Sequence, residues 1–348
     1  MTTIEATRIV INKAGSYDRL EVAKFQTAAL GPSDVLIDVS ASGINYADVI
    51  VRMGLYASAR ELVGWPITPG FEVAGVVRAV GSEVDDLACG DRVAACTFFN
   101  GYASALVAPR DQVFALPDAL SFVEGAAIPA VFMTAYYALH ELAHPRKGDR
   151  VLVHSAAGGV GGSLVQLAKH AGCEVTGVVG GAHKVEPARA LGCEHVIDKS
   201  KADLWPAAER IAADGFELIL DANGVSTLGD SYKHLARPGK LVVYGFASML
   251  PKTGGRPNYL KLGLDYVRTP RFNPLNMTND SRSVLAFNLS YLFHRKDILA
   301  EAMQMVFGLL EAGKIVPPTA TTYRLEDVAD AHRDIESGTT IGKLVLTS

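Results

Sequence analysis

GDRVLVHSAAGGVGGSLVQLAK, residues 148–169, decides the fold of this chain. The apolar run at 151–153 reads as a buried parallel strand, and 156–161 reads as a glycine-rich turn. From Gly162 onward the chain reads as a helix with Leu164, Val165, Leu167 and Ala168 on one face. Strand, glycine turn and helix in that order predict a dinucleotide site. Backbone N–H groups at the helix start point at a diphosphate, and the helix dipole favours its charge. Glycines at Gly158, Gly159 and Gly161, with Val160 between them, let a ligand or the packed strand approach where a Cβ would obstruct. Ala156 stands where a GxGxxG motif has its first glycine. A bare turn of this kind also connects strand to helix without binding anything, so the weight falls on the flanking pattern.

Outward from this stretch the texture supports two domains. Residues 126–270 alternate strands and helices, with further strands expected at 174–180, 195–198, 217–224 and 240–246. Such alternation predicts an α/β domain with a doubly wound parallel sheet, a Rossmann domain. Residues 1–125 are strand-rich: VLIDVSASGIN, FEVAGVVRAVG and DRVAACTFF are separated by Gly, Pro and Asp turns, and only 46–52 has helical period. A compact β-barrel-like domain is expected there. A helix at 298–313 and a strand at 343–346 close the chain.

Composition excludes several functions. The 348 residues are long enough for two sizeable cores, and 49% hydrophobic with 20% charged residues is a globular composition. A net charge of -4 argues against a nucleic-acid partner held by a basic surface. Cys89, Cys96, Cys173 and Cys193 form no CxxC pair and read as small apolar residues of a reducing compartment. No signal-peptide pattern opens the sequence, and the longest apolar stretch, 125–142, is broken by Pro129. A cytoplasmic protein without a membrane span is expected.

The cofactor is legible at the next strand end. A site selecting NAD places a carboxylate about 20 residues past the glycine turn. Here Gly180, Gly181, Ala182, His183 and Lys184 follow the strand, and no carboxylate lies between Glu174 and Glu186. An acid would repel a 2′-phosphate, so this pattern favours NADPH. Ligands bind at the carboxyl edge of such a sheet, which makes the strand-end residues Ala222, Asn223, Gly245, Phe246 and Ala247 further candidates.

The longer pattern is more selective than the turn. Gly148-Asp149, Leu152, residues 156–159, Gly161, Gln166 and Lys169 together resemble the signature of the zinc-free, zeta-crystallin-like quinone oxidoreductases of the medium-chain dehydrogenase/reductase superfamily. The resemblance continues through SGINYADVIVRMGLY (42–56), TPGFEVAGVVRAVG (68–81), GDRV (90–93) and IGKLVL (341–346). MGLY and VVYGFASML (242–250) are similar to the VAT-1-like branch.

This resemblance implies a GroES-like β-barrel domain formed by 1–125 and 271–348, with the NADP-binding Rossmann domain at 126–270. It implies Lys184 on the 2′-phosphate. Lys199 is a second candidate there, in Ile197-Asp198-Lys199 where the family often has Ile-Asn-Tyr. Thr134 is implied at the nicotinamide ribose, Gly245, Phe246 and Ala247 at the carboxamide, and Asn45 at the nicotinamide. Tyr46 and Tyr56 are implied beside the substrate oxygen, as hydrogen-bond or proton donors. Gly70-Phe71-Glu72 stands where metal-dependent relatives have Gly-His-Glu, and SGINYAD lacks their cysteine, so no metal is expected.

The expected function is hydride transfer from NADPH to a quinone. Reduction of an enone or substituted acrylate is the alternative, and a non-catalytic NADPH-binding protein of the VAT-1-like kind a third reading. A homodimer paired through a sheet edge is implied by the same resemblance. The stretch 251–294 carries Lys252, Arg256, Lys261, Arg268 and Arg271 among aromatics. It reads as a lid or as a contact with a protein or anionic surface, with a solvated insertion packed on the dimer the favoured reading.

Overall fold

A computed structural model describes residues 3–348. They divide into two compact units. One holds the residues up to 133 with 252–256 and 290–348; the other holds 134–251 and 257–289.

In the first unit, β1 (Glu5–Val10) and β2 (Glu21–Gln26) form an antiparallel pair. β3 (Asp34–Ile44), β4 (Glu72–Val80), β5 (Arg92–Cys96), β6 (Ala105–Pro109) and β7 (Val113–Ala115) belong to a larger sheet. β3 is its axis: one edge pairs with β4, and the start of its other edge pairs with β6. Val35, Ile37 and Val39 on β3 meet Val73 and Val77 of β4 and Val93 and Ala95 of β5 in the core. Period-2 spacing puts each such set on one face.

The second unit is a six-stranded parallel sheet of β8 (Arg150–His154), β9 (Glu174–Val179), β10 (His195–Asp198), β11 (Phe216–Asp221), β12 (Leu235–Val243) and β13 (Arg282–Ala286). The order is β10-β9-β8-β11-β12-β13. That is the doubly wound 3-2-1-4-5-6 arrangement, with its switch point between β8 and β11. β14 (Ala320–Arg324) and β15 (Lys343–Thr347) return to the first unit, where β15 runs antiparallel to β3 with Leu344 opposite Ile44. The sheet containing β3 thus has seven strands.

The unit boundaries differ from the expected 125/126 and 270/271. Residues up to 133 stay with the first unit, where the Ala130 N–H donates to the buried Glu72 carboxylate at 2.7 Å. The parallel sheet extends past 270 because β13 adds a sixth strand, with Val284 opposite Leu241. Residues 252–256 join the first unit through Gly255. Its N–H donates to Glu336 at 2.9 Å, and its carbonyl accepts from Arg52 at 3.3 Å.

The ambiguous stretch also contains the helix Tyr259–Arg268, capped by Asn258, whose side chain accepts from the Lys261 N–H. It leaves Leu260 89% and Tyr266 78% exposed, while Asp265 pairs with Lys261. Among the described residues no helix is long and apolar enough to cross a membrane, and no group of three or more His, Cys, Asp or Glu is placed to hold a metal. All four cysteines are free thiols, three of them buried.

Candidate functional site

The glycine turn lies at the carboxyl end of β8, beside the switch point. Gly158 caps the helix Gly159–His170. The first bond closing that helix runs from the Gly162 N–H to the Gly158 carbonyl, at 2.7 Å. The N–H groups of Gly159, Val160 and Gly161 therefore lie in the first turn, where no intrahelical acceptor reaches them. Such N–H groups, with the positive end of the dipole, have the chemistry that suits an anion. The two halves of the glycine motif do different work. A Cβ on Gly161 would collide with the Ser155 carbonyl, so this glycine permits close packing of helix on turn. Gly158 and Gly159 are partly exposed and available to a ligand. Leu164, Val165, Leu167 and Ala168 are all buried, which anchors the helix.

At the end of β9, Gly180 opens onto free space, with nothing within 4 Å of where a Cβ would stand. The chain then turns through Gly181 into Ala182–Lys184, and Lys184 caps the helix Val185–Ala190. β10 ends at Asp198, the acid that departs from the family pattern. Its carboxylate accepts from the Ser200 hydroxyl at 2.7 Å and the Ser200 N–H at 2.9 Å. Those bonds, with the charges of Lys201 and His183, hold it below the usual carboxylate range. Lys199 is exposed beside it. The edge near β9 and β10 thus gathers His183, Lys184, Lys199 and Lys201, while Asp198 is committed to its own turn and Glu186 pairs with Arg189.

Two strand-end loops complete the carboxyl edge. Ala222 and Asn223 follow β11; Gly245, Phe246 and Ala247 follow β12. The Ala247 N–H donates to the Ala222 carbonyl at 3.1 Å, and the Ser248 N–H donates to the Asn223 carbonyl at 2.9 Å. Gly224 has φ of +79°, and a Cβ there would stand 2.9 Å from the Phe246 Cα, so only glycine lets the loops close. The Asn223 Nδ2 is buried and has no hydrogen-bond partner, a donor left for a ligand. Thr134 is the first residue of this unit and is partly buried. Sequence reasoning missed Asp221, His154, Thr227 and Ser231, which support these loops from below. The available signal was a carboxylate ending an apolar strand, ELILD.

Asn45, Tyr46 and Tyr56 lie in the first unit. Asn45 caps the helix Tyr46–Arg52, and both ends of its amide are engaged: Nδ2 donates to Glu72 at 2.8 Å, and Oδ1 accepts from Lys343 at 2.7 Å. Lys343 also donates to Glu72 at 2.7 Å and to the Ile44 carbonyl at 2.6 Å. Asp48, wholly buried, accepts from the Asn45 and Gly70 N–H groups, each at 2.8 Å. Burial pushes its carboxyl up to about 6 despite these bonds and the Lys343 charge. Tyr46 is pushed up to about 12 by burial and by Glu336, so it keeps its proton at neutral pH. The Tyr56 hydroxyl lies 2.9 Å from Ser290 Oγ, and its ring packs on Phe71 and Phe99. Phe71 belongs to an aromatic cluster with Phe99 and Phe98.

A doubly wound parallel sheet with a glycine turn at its switch point, joined to a separate β unit closed by the C-terminal strand, is the architecture of the two-domain, nucleotide-dependent dehydrogenase class. Residues 31–118 match the alcohol dehydrogenase GroES-like domain and 191–346 match the zinc-binding dehydrogenase family. The synaptic vesicle membrane protein VAT-1 homolog of Danio rerio is 34% identical over 341 residues, 98% of this chain and 69% of that protein. A 2-haloacrylate reductase of Burkholderia sp is 30% identical over 347 residues, 97% of each chain. The crystal structure of Escherichia coli quinone oxidoreductase complexed with NADPH superposes with a TM-score of 0.84 at 29% identity, covering 99% of this chain and 100% of that one. The chain belongs to the medium-chain dehydrogenase/reductase superfamily and, within it, to the quinone oxidoreductase family, with VAT-1-like proteins among its relatives.

Proposed function

We propose that this protein is an NADPH-dependent oxidoreductase that reduces quinones. The observation that carries the reading is the glycine turn at the switch point together with a β9 end that offers Lys184 in place of a carboxylate. The residues present fit the cofactor: Gly180 opens onto free space, and the Asn223 Nδ2 lacks a partner. NADPH, when bound, supplies a hydride at the nicotinamide C4.

The chain's own groups bind and orient. The N–H groups of Gly159, Val160 and Gly161 hold the diphosphate. Lys184 neutralises the 2′-phosphate, with Lys199 the second candidate for it. Asn223 and the backbone of Gly245, Phe246 and Ala247 hold the carboxamide end, and Thr134 the adjoining ribose. Asn45 contributes by fixing the turn ahead of Tyr46, since its amide is already committed to Glu72 and Lys343. Tyr56 donates a hydrogen bond to the substrate oxygen. Tyr46 donates likewise but is too weak an acid to release its proton near neutrality. Protons for the product then come from solvent. No metal is required, because a quinone accepts hydride without Lewis-acid polarisation.

A second reading, reduction of an activated alkene, is favoured by the likeness to the Burkholderia 2-haloacrylate reductase along 97% of both chains. NADPH oxidation measured against a panel of quinones, enones and haloacrylates separates the two. Tight NADPH binding without turnover of any of them would leave the non-catalytic reading. Lys184→Ala should weaken NADPH at least tenfold and leave NADH unchanged; equal affinity of the wild type for NADH and NADPH would overturn the assignment of Lys184. The protein is further proposed to act in the cytoplasm as a homodimer, which sedimentation would test.

A further inference from the structure

We infer that Asp221 is a positioning residue that sets the two strand-end loops for the nicotinamide half of the cofactor; this rests on the NADPH reading above. Asp221 is the last residue of β11 and is wholly buried. Its Oδ1 accepts from the Asn223 N–H at 2.8 Å and the Gly224 N–H at 3.0 Å. Its Oδ2 accepts from the Thr227 hydroxyl at 2.7 Å and the Ser231 hydroxyl at 2.9 Å. Four donors converge on one carboxylate, and two of them are the backbone of the loop that presents Asn223.

The same residue ties the second loop. Its carbonyl accepts from the Tyr244 N–H at 3.0 Å, the first of three cross-loop backbone bonds that continue through Ala247 and Ser248. Behind the carboxylate, Ser231 Oγ lies 3.2 Å from His154 Nε2, at the end of β8. Burial pushes His154 down to about 4, so it stands neutral beside the carboxylate at physiological pH. Both loops, the helix Leu228–Lys233 that carries Ser231 and the end of β8 are therefore fixed to one anion. An asparagine in its place offers one carbonyl oxygen and one NH₂. Its oxygen can stay on the two backbone N–H groups while the hydroxyls turn to accept from the NH₂, so the loops hold; a leucine leaves the two N–H groups without an acceptor, and the loops lose their register.

The glycine turn and the β9 end, where the adenylate half would sit, contribute no group to this cluster. The test uses that separation. Calorimetry on the full chain compares binding of NADPH with binding of 2′,5′-ADP, which lacks the nicotinamide half. Asp221→Leu should weaken NADPH at least tenfold while leaving 2′,5′-ADP within twofold of wild type, and Asp221→Asn, which keeps the acceptor for the backbone, should weaken NADPH no more than threefold. Thr227→Val, which keeps the charge and removes one donor, should weaken NADPH about threefold with the same selectivity, and it stands in if Asp221→Leu fails to fold. Equal weakening of both ligands, or of neither, overturns the positioning role. A wild type that binds 2′,5′-ADP but not NADPH overturns the cofactor reading and this inference with it.

Discussion

Each of the two units buries a carboxylate at the head of a turn, and each sets a buried histidine in the same cluster. In the first unit, Asp48 takes two backbone N–H groups and the Tyr102 hydroxyl, and Tyr102 lies 3.3 Å from the Nε2 of His332. In the second, Asp221 takes two backbone N–H groups and two hydroxyls, with His154 behind Ser231. The plan is shared but the neighbours differ. The first cluster stands beside full charges, the Lys343–Glu72 pair and the Arg52–Glu336 pair, all buried. The hydrogen bonds to the Asp221 carboxylate come from neutral donors alone. Buried ion pairs tolerate loss of a partner poorly, whereas hydroxyls can reorient. The first unit is thus built to be stiff by charge, and the second by hydrogen-bond geometry.

Breaking the charged cluster should give the largest effect. Lys343→Met leaves Glu72 uncompensated and should cost about 3–5 kcal/mol in urea unfolding. The double variant Lys343→Met/Glu72→Gln should cost less than the sum of the singles.

The next two tests sharpen the contrast through pH, because His154 and Asp48 titrate in opposite senses, although burial pushes His332 of the first cluster down as it does His154. His154 is depressed from the ordinary 6.5 to about 4. The unfolded chain therefore binds more protons between those values. Its contribution is present above pH 6.5 and is lost as pH falls toward 4, by about 3 kcal/mol. His154→Asn should remove that loss from the acid limb of an unfolding series. Asp48 is raised from 3.8 to about 6, so its contribution is full below pH 3.8 and is lost as pH rises through 6. Asp48→Asn should remove that opposing slope, worth about 2–3 kcal/mol. If both variants changed the pH profile in the same direction, the contrast between the units would fail.

The smallest effect is expected at Tyr56. Tyr56→Phe removes the hydroxyl that contacts Ser290 and should cost about 1 kcal/mol or less in stability. If solvent supplies the protons, kcat should fall no more than about threefold.

The helix Tyr46–Arg52 and the strand β10 were legible residue by residue, and β8 and β9 to within one residue at an end, because local period and turn chemistry coincide there. β13 was not. Its apolar run, Val284 to Ala286, is as short as that of β8 but has no glycine turn and helix behind it to mark it, and it becomes a strand on the edge that β12 offers. The helix Tyr259–Arg268 was hidden for a related reason: its apolar residues point outward and Asp265 pairs with Lys261, the reverse of the pattern a core-facing helix writes. Among the site residues, the glycine turn and Lys184 stand in one contiguous motif and could be named from it. Asp221 looked like the end of a strand, since its partners Thr227 and Ser231 lie on the next helix start and His154 lies on β8, 67 residues earlier in the chain by their numbers.

The sequence by itself determined the order of elements, the glycine turn and the missing carboxylate after β9, because each depends on neighbours within about one turn or strand. Tertiary structure alone decided that Lys343 closes on Glu72 and Asn45, that Gly255 docks against Arg52 and Glu336, and that Asp221 binds four donors at once. Such contacts join residues far apart in the chain. Their energy comes from leaving no buried charge or donor unsatisfied, a condition met only when the whole fold is in place.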